Sequence, residues 1–432
     1  MNRGLVDAAD PISERGPQLG ASPVSTDTHL DLNEVVLALS DALDLVGVDD
    51  VGHGKRVAFM ATEVANGLGL PEVARQKLFL AAVLHDCGVS SSRVYRRLAG
   101  DLDWAGSPDH CRIGHDMLLS FEPLADLAGI VLHHHDRWRD LASGHAGSED
   151  ALLANAVHLA DRVDALLAQA PRQDILLSRL EVRDFVEATA GDRFAPELVG
   201  AFLEVSEAEA FWLVLEPRHL ERFILDEGRT LRARPMAPGE LRRLAELFAR
   251  IVDAKSPWTA RHSESVARLA VVLGRLAGLP ETVCEKLELA GLLHDLGKLR
   301  VPDDVLDKEG LLDAADYAVL AHHTFETWQI LRRIRSFSEI AEWAAFHHEA
   351  PSGRGYPFRR AGARLDPPAR LLAVADVFQA LAQARPYREH LAPDAILKVL
   401  REMAGSGRLD PRGVDLVSAN LGVCWEAATV AA

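Results

Sequence analysis

An all-α protein is predicted by three observations. Apolar residues recur at spacings of three and four along most of the chain. Alanine and leucine dominate while aromatic residues make up only 6% and β-branched residues are sparse, a balance that favours helix over sheet. No run of alternating apolar and polar residues is long enough to read as a strand. With 432 residues, 48% of them hydrophobic, the chain is too long for one compact core and fits two domains.

In order along the chain, the first 29 residues are rich in Pro, Gly, Ser and Asp and read as a disordered tail; they lack the apolar core of a secretion signal. Helical periodicity starts at Leu32 and continues in Lys55–Gly67, Pro71–Leu84, Ile113–Ser120, Leu124–Leu132 and Leu152–Leu167. A segment over 216–238, with a helix-compatible middle (HLERFIL) and an Arg- and Pro-rich end, is expected to join the domains as a helical connector or a loose linker. Periodicity resumes over Leu241–Ala254, Glu264–Ala277, Glu281–Leu293, Ala314–Ile334, Ser338–Phe346, Ala369–Ala384 and Pro393–Met403. The expected domains are therefore 30–215 and 239–432.

The net charge of −17 argues against nucleic-acid polymers and anionic membranes as partners. It does not exclude a small phosphate ligand, because a bound divalent metal reverses the local field. No stretch approaches the length of a membrane span, so a cytoplasmic location is expected. The four cysteines, Cys87, Cys111, Cys284 and Cys424, form neither a CxxC pair nor a zinc-type spacing and read as reduced thiols. Cys87 and Cys111 lie close to proposed ligands, which exposes them to adventitious oxidation.

The 18 histidines are not scattered. His53-Gly-Lys-Arg-Val-Ala in the first half matches His262-Ser-Glu-Ser-Val-Ala in the second. His85-Asp86-Cys-Gly matches His294-Asp295-Leu-Gly. His110, the pair His134-His135 and Leu159-Ala-Asp161 match His323, the pair His347-His348 and Val374-Ala-Asp376. The first His precedes the His-Asp pair by 32 residues in both halves, and the third His precedes the His-His pair by 24 in both. Five elements in one order indicate a tandem duplication.

Imidazole and carboxylate are ligands for divalent metals of borderline or hard character. One histidine on a helix is ordinarily a packing or surface residue. Seven ligand-type residues at repeated spacing on several helices call for a metal centre, because such a cluster buried without cations would cost stability. Adjacent His and Asp on a helix project about 100° apart, so the pair can face two neighbouring cations with the carboxylate bridging them. Two such cations suit in-line attack at phosphorus.

In the second half, His294-Asp295-Leu-Gly-Lys298 is similar to the HDxGK signature of HD-domain phosphohydrolases. His347-His348-Glu349-Ala-Pro-Ser352-Gly353-Arg-Gly355-Tyr356-Pro357 resembles the HHExxxGxGYP signature of the HD-GYP subfamily, and Asp376-Val-Phe-Gln-Ala-Leu and Arg385-Pro-Tyr387-Arg388 resemble the blocks that follow. The resemblance runs from about Asp253 to Arg388. It implies a cyclic di-GMP phosphodiesterase yielding pGpG or GMP, with iron or manganese held by His262, His294, Asp295, His323, His347, His348 and Asp376. Asp295 is the expected bridge and Lys298 the expected contact to the scissile phosphate. Gly353, Gly355, Tyr356 and Pro357 are the expected loop beside the substrate, with Arg385 and Tyr387 as further contacts. Homodimerisation and a signalling partner at the GYP loop are the expected associations.

Two departures bear on this. Three-metal members carry Glu four residues before the first His, where this chain has Trp258, so two cations are expected. Ser352 replaces an Asp that precedes the first Gly of the signature.

The first half resembles the wider HD superfamily through His53, His85, Asp86, His110, His134, His135 and Asp161, with His115 and His133 as second choices for His110 and His135. Val89 stands where the second half has Lys298, and no GYP follows. A structural or regulatory metal domain is expected there, in preference to a separate phosphohydrolase. Two alternatives accompany the main reading: a hydrolase of another cyclic dinucleotide or nucleotide, and a non-catalytic signalling module.

Overall fold

A computed structural model describes residues 30–48, 52–144, 149–169, 175–237, 239–256, 261–383 and 390–429. It is helical throughout. The only extended pairings among the described residues are the isolated bridges Asp31–Pro235 and Ala190–Phe194.

Each half is built on the same trio of helices. In the first, His53–Gly67 lies against Glu72–Leu84 and Glu149–Gln169. In the second, His262–Leu276 lies against Glu281–Leu293 and Pro367–Ala382. The first two helices of each trio turn on a tight loop entering at Pro71 or Pro280, residues that cannot extend the preceding helix and suit a helix start. The third helix is buried over most of its length. Alanines alternate with larger apolar residues along it, which lets the neighbouring helices pack closely.

Several helices extend beyond, or lie outside, the periodic segments of the sequence. The helix expected over Ile113–Ser120 runs Ser107–Leu119, opening with Pro108 in its first turn. The segment over Leu124–Leu132 divides into a 3₁₀ stretch, Glu122–Leu127, and the helix Ala128–His133. Helices over Ser92–Gly100, Ile175–Ala188, Pro196–Val205, Pro411–Ala419 and Leu421–Thr429 were not expected. Each presents only a few apolar residues to a neighbour, too few for a clear period.

Between the halves, Pro217–Thr230 is a helix whose Leu220 and Ile224 are buried against the first trio. The chain then runs antiparallel to its own start: Leu32 N donates to Arg234 O and Met236 N to Leu30 O, each at 2.8 Å. The helix Leu32–Leu43 of the first half packs against Ala314–Leu331 of the second. As a result the buried apolar side chains of both halves form one contiguous cluster. The tail over 1–29 lies outside the described residues.

Candidate metal centre and its counterpart

Local structure places the ligand-type side chains in the second half. His262 is the first residue of its helix, reached through Arg261 in the left-handed region at φ 60°. His294 caps the end of Glu281–Leu293, and the chain then turns into a 3₁₀ segment, so Asp295 points to the same centre. His323 lies mid-helix, His347 and His348 follow the end of Ser338–Ala345, and Asp376 comes from Pro367–Ala382.

The turn at Asp295 depends on Gly297. A Cβ there would lie 2.1 Å from the carbonyl oxygen of His323, so only glycine lets the two ligand-bearing segments meet. Thr327 ties the same contact, accepting from Gly297 N at 3.0 Å and donating to His294 O at 3.1 Å.

The imidazoles are oriented by their Nδ1 atoms. Those of His294, His323 and His347 donate to the carbonyls of Gly291, Leu320 and Ala344 at 2.7, 2.6 and 2.6 Å, and that of His262 to Oε1 of Gln379 at 2.5 Å. The Nε2 atoms then converge on two sides of Asp295. Oδ2 lies 3.6 Å from His262 and 3.3 Å from His294, and Asp376 Oδ1 lies 3.3 Å from His262. Oδ1 lies 3.7 Å from His323 and 3.8 Å from His347. The ligand atoms of His262, His294 and Asp376 form one compact group, and those of His323, His347 and His348 another.

Electrostatics agree with this arrangement. Burial pushes the Asp295 carboxyl up, but the charges of His294, Lys298 and His262 outweigh it and hold it well below the usual range. Burial and the neighbouring histidine hold His323 down at about 3, and burial holds His348 at about 4. Both are neutral, the form that ligates metal. Nε2 of His294 and Oδ1 of Asp295 are buried without a hydrogen bond of normal geometry. Such orphaned donors of ligand type fit divalent cations. The ammonium of Lys298 sits 2.5 Å from Asp295 Oδ2.

The loop after His348 is held beside this cluster. Glu349 is buried and accepts from Phe358 N at 2.6 Å. Gly355 packs where a Cβ would lie 2.5 Å or less from the His348–Ala350 backbone, and Gly353 turns at φ 75°. Ser352 N donates to Gly407 O. The Tyr356 ring comes to rest 5.0 Å from that of His348, with Pro357 following it. Trp258, Arg385, Tyr387 and Arg388 lie outside the described residues.

The first half repeats the geometry. His53 starts its helix after Gly52 at φ 96°, and His85 and Asp86 follow Glu72–Leu84. Gly88 has the role of Gly297, its Cβ position lying 2.1 Å from His110 O. His53 Nε2 is 3.4 Å from Asp161 and 3.7 Å from Asp86, and His110 Nε2 is 3.4 Å from Asp86 Oδ1 and 3.3 Å from His134 Nε2. The His135 ring lies 5.0 Å from that of His110. His115 and His133, the second choices, point away and pair with Asp116 and Asp136.

Two differences mark the first cluster. Val89 is buried where Lys298 stands, and the buried guanidinium of Arg162 binds Asp161 Oδ2 at 2.7 Å. Five supporting residues escaped the sequence reading. Asp164 accepts from His53 Nδ1 at 2.7 Å, at the place where Gln379 serves His262. Asp44 and Asp253 accept from Gly54 N and Ser263 N at the starts of the two first-histidine helices. Arg162 is the fifth. The signal for Asp44 and Asp253 was present, since each precedes its histidine by nine residues.

Comparison with known proteins agrees with the duplication. HD domain models match residues 246–413 and 51–166. The 3′3′-cGAMP-specific phosphodiesterase 1 of Vibrio cholerae is 34% identical over 406 residues, covering 92% of this chain and 93% of the relative. This chain belongs to the HD-superfamily cyclic-dinucleotide phosphodiesterases with two HD-type domains. It is a metal-dependent phosphodiesterase acting on a cyclic dinucleotide. The cyclic di-GMP phosphodiesterase response regulator RpfG of Xanthomonas campestris is 37% identical over 171 residues, 39% of this chain and 45% of the regulator. In structure, a cyclic GMP-AMP-specific phosphodiesterase of Vibrio cholerae (V-cGAP3) superposes on this HD phosphodiesterase with a TM-score of 0.65 at 24% identity, over 91% of this chain and 98% of that one. That likeness concerns the fold. Among the described residues no helix is long and apolar enough to cross a membrane.

Proposed function

We propose that the second domain hydrolyses one 3′–5′ phosphodiester of 3′3′-cGAMP, and that the first domain serves as a structural or regulatory metal domain. What carries the choice of substrate is coverage. The relatives that span both domains, at 92% and 86% of this chain, act on 3′3′-cGAMP, whereas the cyclic di-GMP phosphodiesterase relatives match about the length of one domain. This favours the alternative reading, another cyclic dinucleotide, over cyclic di-GMP itself.

In this reading His262, His294 and Asp376 would hold one cation and His323, His347 and His348 a second, with Asp295 between the two groups available to both. Two divalent cations, iron or manganese, would acidify a water and neutralise charge building on the phosphate. The protein supplies orientation. The contacts at Nδ1 keep the Nε2 atoms of His262, His294, His323 and His347 aimed inward before any cation arrives, as outer contacts do at metal sites generally. Lys298, at the rim beside Asp295, is placed to meet a non-bridging phosphate oxygen. Tyr356 and the loop it stands on form a wall against which a base can pack, with Glu349 anchoring the loop from behind.

The test is turnover of 3′3′-cGAMP and of cyclic di-GMP by the purified, manganese- or iron-loaded chain, followed by chromatography. Faster turnover of 3′3′-cGAMP is expected, abolished by H294A/D295A and still measurable after H85A/D86A. Equal or preferred turnover of cyclic di-GMP would overturn the substrate assignment, and loss of activity only in H85A/D86A would overturn the domain assignment.

A further inference from the structure

The two clusters are alike in their histidines but differ by one donor atom. Beside His110 the first cluster carries Cys111, a buried side chain on the inner side of Ser107–Leu119. At the equivalent place the second cluster has Thr324; both side chains reach back to their own helix, the Thr324 hydroxyl to Ala321 O at 3.2 Å and the Cys111 thiol to Ser107 O at 3.3 Å, but only the sulfur is a zinc ligand in its deprotonated form. The ligand atoms of His110, Cys111, His134 and His135 all lie within 4.8 Å of one another. We propose that the first domain binds a single zinc ion through Cys111, His110, His134 and His135, a centre different in kind from the one in the second domain.

Three features of the site support this. The first is geometry. Zinc lies about 2.0–2.1 Å from imidazole nitrogen and about 2.3 Å from thiolate sulfur, so a tetrahedral centre has N···N edges of about 3.3 Å and S···N edges of about 3.6 Å. Here His110 Nε2 and His134 Nε2 are 3.3 Å apart, and Cys111 Sγ and His110 Nε2 are 3.7 Å apart. The second is ligand chemistry. A thiolate among imidazoles selects zinc over the harder cations that suit histidine and carboxylate alone. The third is the fate of the other half of the cluster. The carboxylate that would complete a second site, Asp161, is paired at Oδ2 with the buried guanidinium of Arg162, a charge absent from the second domain, where Val377 follows Asp376. The guanidinium weakens the pull of that side on a cation and leaves the thiol-bearing side the stronger.

A closed set of four protein ligands has no open position and is the pattern of a structural zinc site. It accounts for the histidine set persisting where Lys298 has given way to Val89. The competing fourth ligand is Asp86, whose Oδ1 lies 3.4 Å from His110 Nε2, and it would leave sulfur uninvolved.

The experiment is zinc K-edge X-ray absorption on the full chain reconstituted with zinc, beside optical spectra of the cobalt(II)-substituted protein. A sulfur neighbour at about 2.3 Å is expected, together with a thiolate-to-cobalt charge-transfer band in the near ultraviolet. The second cluster groups His262, His294 and Asp376, and His323, His347 and His348, while Cys284 faces Leu279 O, so sulfur reports on the first. Cys111→Ser is expected to lose the band and one tightly held zinc per chain while keeping the cations of the second domain. A shell of nitrogen and oxygen only in the unaltered protein would overturn the proposal without recourse to any variant. So would a charge-transfer band that survives in Cys111→Ser.

Discussion

At the scale of single residues, Lys298 carries the most specific proposed role. Its ammonium touches Asp295 Oδ2 at 2.5 Å and its side chain is partly exposed. In the proposed mechanism Lys298→Ala removes a charge that meets the reacting phosphate, and losses of this kind are about 10²–10³-fold in kcat. The expected outcome is that loss with the cation content unchanged; a matching loss of bound metal would make Lys298 a structural partner of Asp295 instead. Gly297 has a different task. Alanine there would put a methyl carbon 2.1 Å from His323 O, and relieving such a clash costs about 1–3 kcal/mol or more. Gly297→Ala is therefore expected to lower both the unfolding midpoint and the cation content, measured by denaturant titration and elemental analysis. The histidines and aspartates of both clusters were legible in the sequence because spacing exposes them. Cys111 was not, because its counterpart Thr324 is no ligand and repeat matching discards what differs. Gln379 and Asp164 were equally hidden, since they act through a histidine and share no chemistry with each other.

Among the places where secondary-structure elements meet across the two halves is a polar joint around Asp303. The residues just after His85-Asp86 start the helix Ser92–Gly100, and the residues just after Lys298 start the short helix Asp303–Leu306. Asp303 is buried and accepts from Ser91 Oγ at 2.6 Å, Ser92 N at 3.1 Å and Arg93 N at 3.2 Å, with Lys255 3.4 Å away. It thus caps a helix of the other domain, satisfying amide donors that a helix start leaves unpaired. Burial raises its carboxyl, but the hydrogen bond from Ser91, the charge of Lys255 and the amides outweigh it and hold the pKa below the ordinary 3.8. A depressed pKa means that the contribution to stability is present above 3.8 and lost as pH falls through the lower, folded value. Asp303→Asn is expected to be less stable than the parent near neutral pH by about 1–3 kcal/mol, and the difference should shrink as the pH is taken below 4 in urea titrations (about the unfolded carboxylate value). A gap that stays constant with pH would mean that the charge contributes nothing. The sequence could not display this joint. Asp303 belongs to no repeat, and the helix Ser92–Gly100 buries only Ser92, Tyr95 and Leu98, too few positions to set a period.

In the whole molecule, the duplication that the sequence spells out has produced two metal-type centres around one contiguous apolar cluster. The fold class and the pairing of the halves were readable from the repeat. Their intimacy was not, because it rests on the helix Leu32–Leu43 of the first half packing against Ala314–Leu331 of the second. The stretch around Arg234 pairs with residues 30–32, Asp31 Oδ2 accepts from Arg234 N at 2.6 Å, and Asp41 binds Arg333 at 2.7 Å. The contiguous apolar cluster through both halves makes separate unfolding of one domain costly, since it would expose the face that the other covers. One thermal transition is therefore expected for the metal-loaded chain. Cations that bind only the folded state stabilise by about 2.7 kcal/mol when present at a hundred times the dissociation constant, and for one transition of a chain of this size each kcal/mol moves the midpoint by about 1 °C. Chelation is accordingly expected to lower the single midpoint by about 3 °C or more, and H294A/D295A to lower it as well, without splitting the transition. Two resolved transitions in calorimetry, only one of them shifted by H294A/D295A, would mean that the halves unfold independently and that the shared cluster does not couple them.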